Sequence, residues 1–559
     1  MHLLLSNARI VSGSLAPAHC EPSPAPTDIA VIGGRIVAVG AEARAVVRTF
    51  ESGASAPCPV VDVQGAFVYP GFNDVHAHSV WFGQTLREIS LASLGSVEEV
   101  YERIKQGALT PAAGASQWVI ASGFNPNQVA GSVDIERLDA VSNGRPVIIK
   151  HNSGHALTVN TAALQAAGVA VDNPQQPAGG AFGVNAAGRA TGLVDETAMA
   201  VINAQVQPES REEIAAALGA AHEVYARQGL TSVTDAGIAG GWIGHSPIEL
   251  AAYQDALDAG RLAARTQVMV TIDGLEPIHG AASEGSLRGV PTGMRTGLGD
   301  EMLSIGPAKM FSDGSLLGRT AAMSEEYCPC SGHHTGSGYL QDSPEALRRR
   351  AFEAAAAGWS LAVHAIGDAA VDLALDILEE VIRRRGAPRI PHRIEHGGVV
   401  RDEQVARIAA AGIVLVPQPR FIHEFGDAMA RFIGPRRTGL SYPVARLLRA
   451  GSVVPGSSDR PVAGGNPVEV IHSFVERTTA SGAVYGPAER ISAAAAVWCY
   501  TQGSALATGW GHAKGVIAPG YLGDFTVLDS NLTTCDTAAI SRAKVLATIV
   551  GGRVTHSVL

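Results

Sequence analysis

Four times the chain repeats one pattern: an Ala-rich amphipathic run, a glycine, then a short β-branched or apolar stretch. The instances are 220–228, Gly229 and 230–234; 351–357, Gly358 and 359–363; 405–411, Gly412 and 413–416; and 444–450, Gly451 and 452–454. Glycine just past a helix adopts the left-handed conformation without a Cβ penalty, so each instance reads as helix, stop, strand. Helices alternating with buried strands make parallel βα units. Four more strand-like runs, 72–78, 265–271, 305–311 and 392–396, bring the count to eight. Eight is the number that closes a (β/α)8 barrel of the TIM type, so the predicted class is α/β. A doubly wound open sheet is the alternative, but no glycine-rich phosphate loop follows the first strand.

At 559 residues the chain exceeds one ordinary domain, yet a barrel with insertions absorbs much of that length. The barrel is assigned to residues 69–509. The stretch 80–210 is too long for one crossover helix and carries its own strand-like runs at 118–121 and 146–150, so it reads as an inserted subdomain on the catalytic face. Residues 1–68 and 510–559 both alternate short β runs with turns, and together they are expected to form one small β-sandwich.

Composition removes several function classes. Charged residues make up 17% against 46% hydrophobic, the net charge is −10, and the one basic run, Arg383-Arg384-Arg385, reads as a helix end. Nucleic acid is therefore not an expected partner. No uncharged apolar stretch reaches the ~20 residues of a membrane span, and the first ten residues lack the basic start and cleavage site of a signal peptide. Six scattered cysteines without a Cys-x-x-Cys pair argue against a disulfide framework. A cytoplasmic protein is the expectation, with a homodimer as its assembly.

The chemistry concentrates at strand ends. Tyr69-Pro70-Gly71-Phe72-Asn73-Asp74-Val75-His76-Ala77-His78 places two histidines two residues apart at the end of an apolar run. Alternation along a strand sends both to one side, where two imidazoles can grip one metal ion. Lys309, His364, His396 and Asp459 each lie in or just after a later strand, and the working face of a barrel is formed where those strands end. Imidazole and carboxylate suit Zn²⁺ and its neighbours. A buried lysine amine does not, unless CO₂ converts it to a carbamate, an anion whose two oxygens can bridge two metals. Each residue taken singly has an ordinary reading: His364 and His396 as core histidines, Lys309 as a surface lysine, Asp459 as a helix cap before Pro461. Taken jointly the six favour zinc, one or two ions per chain.

The motifs Pro-Gly-Phe-Asn-Asp-Val-His-Ala-His, Lys309-Met310-Phe311-Ser312-Asp313-Gly314-Ser315, His364-Ala365-Ile366-Gly367-Asp368, Glu395-His396-Gly397 and Ser457-Ser458-Asp459 together resemble the amidohydrolase superfamily. More narrowly they resemble its YtcJ-like branch, which includes N-substituted formamide deformylase. The resemblance runs nearly end to end, through Ser153-Gly154-His155 and on to Gly515-Val516-Ile517 and Gly523-Asp524-Phe525. It implies that His76, His78 and Asp459 hold a first metal, His364 and His396 a second, with Lys309 bridging them. It further implies hydrolysis of a C–N bond in a non-peptide, N-substituted amide.

For that reaction Asp459 is the candidate acid–base group, since a departing amine must be protonated. His155 is a candidate donor to the tetrahedral oxyanion, with a purely structural hydrogen bond as its alternative. Ester, lactone or phosphoester cleavage and deamination are alternatives on the same site, as is a non-catalytic binding module. The expected partner is a small-molecule amide. Trp81, Phe82, Phe124, Trp242, Phe311, Phe421 and Phe425 lie near the motifs and suggest an apolar portion of substrate, while Arg319 and Arg420 could meet a carboxylate or a neighbouring acidic side chain.

Overall fold

The computed structural model describes residues 1–13, 20–22, 25–53, 57–109, 118–126, 128–152, 154, 156–177, 180–241, 243–328 and 336–559. The chain divides into two compact units, residues 1–78 with 222–559, and residues 79–221. Among the described residues no helix is long and apolar enough to cross a membrane.

In the larger unit the strands are β1 (Phe72–Ala77), β2 (Leu230–Ile238), β3 (Arg265–Val270), β4 (Leu303–Ile305), β5 (Ala308–Phe311), β6 (Leu361–Ala365), β7 (Arg393–His396) and β8 (Val414–Val416). They form two four-stranded parallel sheets, ordered β4-β3-β2-β1 and β5-β6-β7-β8. Helices separate most of them, and their near-complete burial explains why they read as continuous apolar runs rather than alternating ones. The four glycines that close the repeated pattern have φ values of 83°, 91°, 65° and 81° at Gly229, Gly358, Gly412 and Gly451. Each stops a helix in the left-handed conformation that only glycine enters freely.

Two of the expected strands differ. The run 305–311 is two strands, because Gly306-Pro307 interrupts it and the Gly306 amide turns to the Val268 carbonyl of β3 at 2.8 Å. The run 452–454 is not a strand. Pro455 has no N–H to give a ladder, and the Gly456 amide donates instead to the Cys499 carbonyl at 2.9 Å.

The two sheets touch on two sides. On one side a parallel bridge joins Thr271, just past β3, to Lys309 of β5, and Ala236, Met269 and Ala362 share a buried cluster. On the other, Val75 of β1 packs with Val414 and Val416 of β8 and with Ala507. Beside that contact the Val75 amide donates to the Gly456 carbonyl at 3.1 Å.

Strands from both extremities of the chain share one nine-stranded sheet. Leu3–Gly13 pairs with Phe67–Pro70, which pairs antiparallel with Phe525–Leu528, and Val545–Val550 and Arg553–Ser557 continue outward. Leu5, Val31, Val68, Phe525, Val527 and Ile549 belong to its core. An ion pair ties this sheet to the parallel strands: Arg265, the first residue of β3, grips Asp524 through Nε at 2.7 Å and Nη2 at 2.9 Å.

The second unit holds a six-stranded sheet of its own, built from Ile89–Ser90, Val119–Phe124, Val147–His151, Ala156–Val159, Gly180–Val184 and Ala190–Glu196. One apolar cluster around Tyr101, Ile104, Phe124 and Ile149 packs with the helix Val97–Leu109. Another gathers Ile148, Leu164, Phe182 and Val194.

Candidate metal centre

His76 lies in β1 and His78 follows it, while Asp459 lies on the segment that runs past their backbone. The Asp459 amide donates to the His76 carbonyl at 2.7 Å and the His78 amide to the Arg460 carbonyl at 2.9 Å. These two main-chain bonds set the carboxylate against both rings. Asp459 Oδ1 lies 2.9 Å from His78 Nε2 and 3.3 Å from His76 Nε2. Two nitrogens and one oxygen, all buried, thus converge within 4.8 Å of one another.

Lys309, His364 and His396 join the same buried cluster. Parallel register places Phe311 opposite His364 and Ala365 opposite His396, so the ends of β5, β6 and β7 align. The His396 ring centroid is 4.5 Å from that of His364 and 4.9 Å from that of His76. His396 Nδ1 is 3.9 Å from Asp459 Oδ2. Lys309 is 1% exposed, with Nζ 4.9 Å above the Phe311 ring. Of the six metal candidates, the structure brings all six together; His155 lies outside the described residues, as does Trp242.

Two of these residues depart from ordinary strand backbone. His396 has φ 75° and Asp459 φ 60°, the left-handed region that non-glycine residues enter at a cost of roughly 1–2 kcal/mol. Such strain persists only where surrounding structure imposes it, and it gathers at functional sites.

The electrostatics suit a cation. Burial opposes the charge of Asp459, but the two histidines outweigh it and hold its carboxyl well below the usual range. Burial and the Lys309 charge push His364 down to about 3, and burial with His364 beside it pushes His396 well below its usual value. Burial likewise lowers Lys309 to about 8. His76 runs the other way: burial and the Lys309 charge oppose its proton, but Asp459 and Glu395 outweigh them and raise its pKa. A neutral imidazole at His364 and at His396 beside an ionised carboxylate is the protonation state a metal requires. His364 Nδ1, fully buried, has no hydrogen-bond partner among the described residues, a costly state for a polar atom unless something else takes it. The donor set and this orphaned nitrogen fit a divalent transition metal.

Sequence reasoning missed the residues that hold the rings. His76 Nδ1 lies 2.5 Å from Glu395 Oε2, His396 Nδ1 lies 2.8 Å from Gln418 Oε1, and His364 Nε2 lies 3.0 Å from the Gly314 carbonyl. Asp313 Oδ1 is 3.5 Å from His364 Nε2. Burial pushes that carboxyl up to about 7, although it accepts main-chain bonds from Gly367, Ile366 and Ala322. Glu395 and Asp313 stand inside the same sequence motifs, but alternation sets Glu395 opposite its neighbour His396, and Asp313 lies beyond the end of β5.

The neighbouring arginines are engaged elsewhere. Arg420 pairs with Glu424 at 3.0 Å and Glu469 at 3.1 Å, and the Arg319 guanidinium lies 5.2 Å over Phe432. Aromatic side chains do border the cluster: Phe311 is 5.1 Å from His364, and Phe421 lies nearly parallel to His396 at 6.4 Å.

Residues 59–556 match the amidohydrolase family. The chain is 28% identical over 504 residues to the protein YtcJ of Bacillus subtilis (strain 168), an amidohydrolase by name, covering 89% of this chain and 90% of that one. It is 29% identical over 541 residues to the N-substituted formamide deformylase of Arthrobacter pascens, covering 94% of each. Among solved structures, a metal-dependent hydrolase from Pyrococcus horikoshii superposes with a TM-score of 0.76 over 96% of this chain and 99% of that one, at 23% identity, a likeness of fold. The chain belongs to the amidohydrolase family, on its YtcJ-like branch, and is a hydrolase.

Proposed function

We propose that this protein is a metal-dependent amidohydrolase that cleaves the C–N bond of a non-peptide, N-substituted amide within a (β/α)8 barrel. The observation that carries the reading is the meeting of His76 Nε2, His78 Nε2 and Asp459 Oδ1, with Lys309, His364 and His396 buried beside them. The packing of β1 against β8 and the bridge from Thr271 to Lys309 support barrel closure. The substrate class is supported by the named activity of the deformylase relative.

In this reading His76, His78 and Asp459 would hold a first ion and His364 and His396 a second, with Lys309, as a carbamate, a ligand they would share. A divalent cation there, zinc first by the donor set, supplies Lewis acidity toward water and toward an amide carbonyl. Asp459 holds the proton taken from water at Oδ2, the oxygen facing His396 rather than His76 and His78, and releases it to the nitrogen of the departing amine. Lys309 reaches its carbamate when its neutral Nζ bonds to the carbon of CO₂ and releases a proton. Phe311 and Phe421 keep water from the flank of the cluster and favour an apolar acyl or amine portion.

Elemental analysis of protein purified without chelator tests the metal, and turnover of N-substituted formamides, N-acyl amino acids and simple esters tests the bond. One or two equivalents of metal and turnover of the formamides are expected. Full activity at metal content near zero would overturn the metal centre, and turnover confined to esters would overturn the substrate class.

A further inference from the structure

Behind His76 stands a charged pair that no solvent reaches. Arg393 and Glu395, both fully buried, face one another two residues apart on β7. Arg393 Nε donates to Glu395 Oε1 at 2.8 Å and Nη2 to Oε2 at 2.9 Å. Oε2 also meets His76 Nδ1, and Arg393 Nη2 donates to the Val75 carbonyl at 2.8 Å. The pair therefore holds both the ring of His76 and the peptide immediately before it.

Burying two charges is expensive, and apolar residues of similar volume commonly stabilise a core as well or better. A pair retained here, with its contacts directed at one histidine, calls for a reason beyond packing. We propose that Arg393 and Glu395 are positioning residues for the metal centre, fixing His76 in the tautomer that carries its proton on Nδ1. The Nε2 lone pair is then left facing His78 Nε2 and Asp459 Oδ1. Both carboxylate oxygens of Glu395 accept from Arg393, and Oε2 also faces His76 Nδ1, so its contacts are directed at the ring. Arg393 keeps the carboxylate ionised and aimed, and the acceptor on Nδ1–H makes Nε2 a better donor. The inference rests on the metal-dependent reading above.

The test is zinc affinity, by competition with a chromophoric chelator, of the full chain and of two variants, Glu395→Gln and the double variant Arg393→Met/Glu395→Gln. The double variant leaves no uncompensated buried charge, so it guards against a simple failure to fold. Both variants are expected to bind zinc roughly 10- to 100-fold more weakly, the usual effect of losing such a partner. In ¹⁵N-histidine spectra the His76 Nδ1–H signature, identified by its loss in His76→Gln, should weaken or vanish in both. Folded variants with unchanged zinc affinity and an unchanged tautomer would overturn the positioning role, while the parent protein would still bind metal. A parent protein that binds no zinc or other divalent ion would overturn the metal-dependent reading itself, and this inference with it.

Discussion

Replacing Lys309 by methionine should move stability in opposite directions with and without metal. In the metal-stripped protein Lys309 is a desolvated amine whose pKa falls from 10.5 to about 8. At 1.36 kcal/mol per pH unit that fall makes the charged side chain cost the folded state about 3 kcal/mol. Because the folded value is depressed, the cost is full below about pH 8, shrinks as pH rises toward 10.5, and disappears above it. Methionine has similar length, carries no charge and can rest its sulfur on the Phe311 ring. Calorimetric melting of stripped Lys309→Met, in buffer freed of CO₂, should therefore show a rise of several degrees over the stripped parent at pH 7. By pH 10 the difference should shrink to about a quarter. With metal supplied the order should reverse, and the variant should hold less than half the parent's metal. A stripped variant that melts below the parent at pH 7, or a difference that ignores pH, would refute the picture of a buried, unstabilised cation.

Asp459→Asn should leave melting of the stripped protein within a few degrees of the parent yet cut turnover by at least ~10²-fold; near-normal turnover by the purified variant would assign proton transfer to another group. Arg265→Ala strands the Asp524 carboxylate against the terminal sheet and should lower stability by about 3–5 kcal/mol, read by thermal melting; a loss under about 1 kcal/mol would mean the pair ties nothing together. Phe421→Ala removes a buried ring packed against Phe425 and Tyr442 and should cost about 3–5 kcal/mol, while its apolar substrates should show a larger change in KM than in kcat.

The parallel architecture was legible because its signals are local. A glycine after each helix and a run of buried apolar residues mark a βα unit whatever the neighbours do. The two strand assignments that failed did so at Pro307 and Pro455, where a missing amide outweighs an apolar pattern. The gathering of five metal candidates was legible because they lie in or just after parallel strands; Asp459 follows no strand and is brought in by the bond from its amide to the His76 carbonyl. Their supports were not: Glu395 reaches His76 from 319 residues away, and Gln418 reaches His396 from beyond the end of β8. His396 itself defeats alternation, since its left-handed backbone turns the ring away from the side its position on β7 would assign.

The shared sheet also sets a timetable for biosynthesis. Phe67–Pro70 finds its partner in Phe525–Leu528, about 455 residues later. At ~5–20 residues per second of translation, that edge stays open for roughly 20–90 s on every ribosome. Val68, fully buried in the finished sheet, spends this interval as an unpaired apolar edge of the sort that recruits other strands. Slower translation or crowded polysomes should therefore lower soluble yield before any change in the finished protein could, and a chaperone that shields nascent chains should restore it.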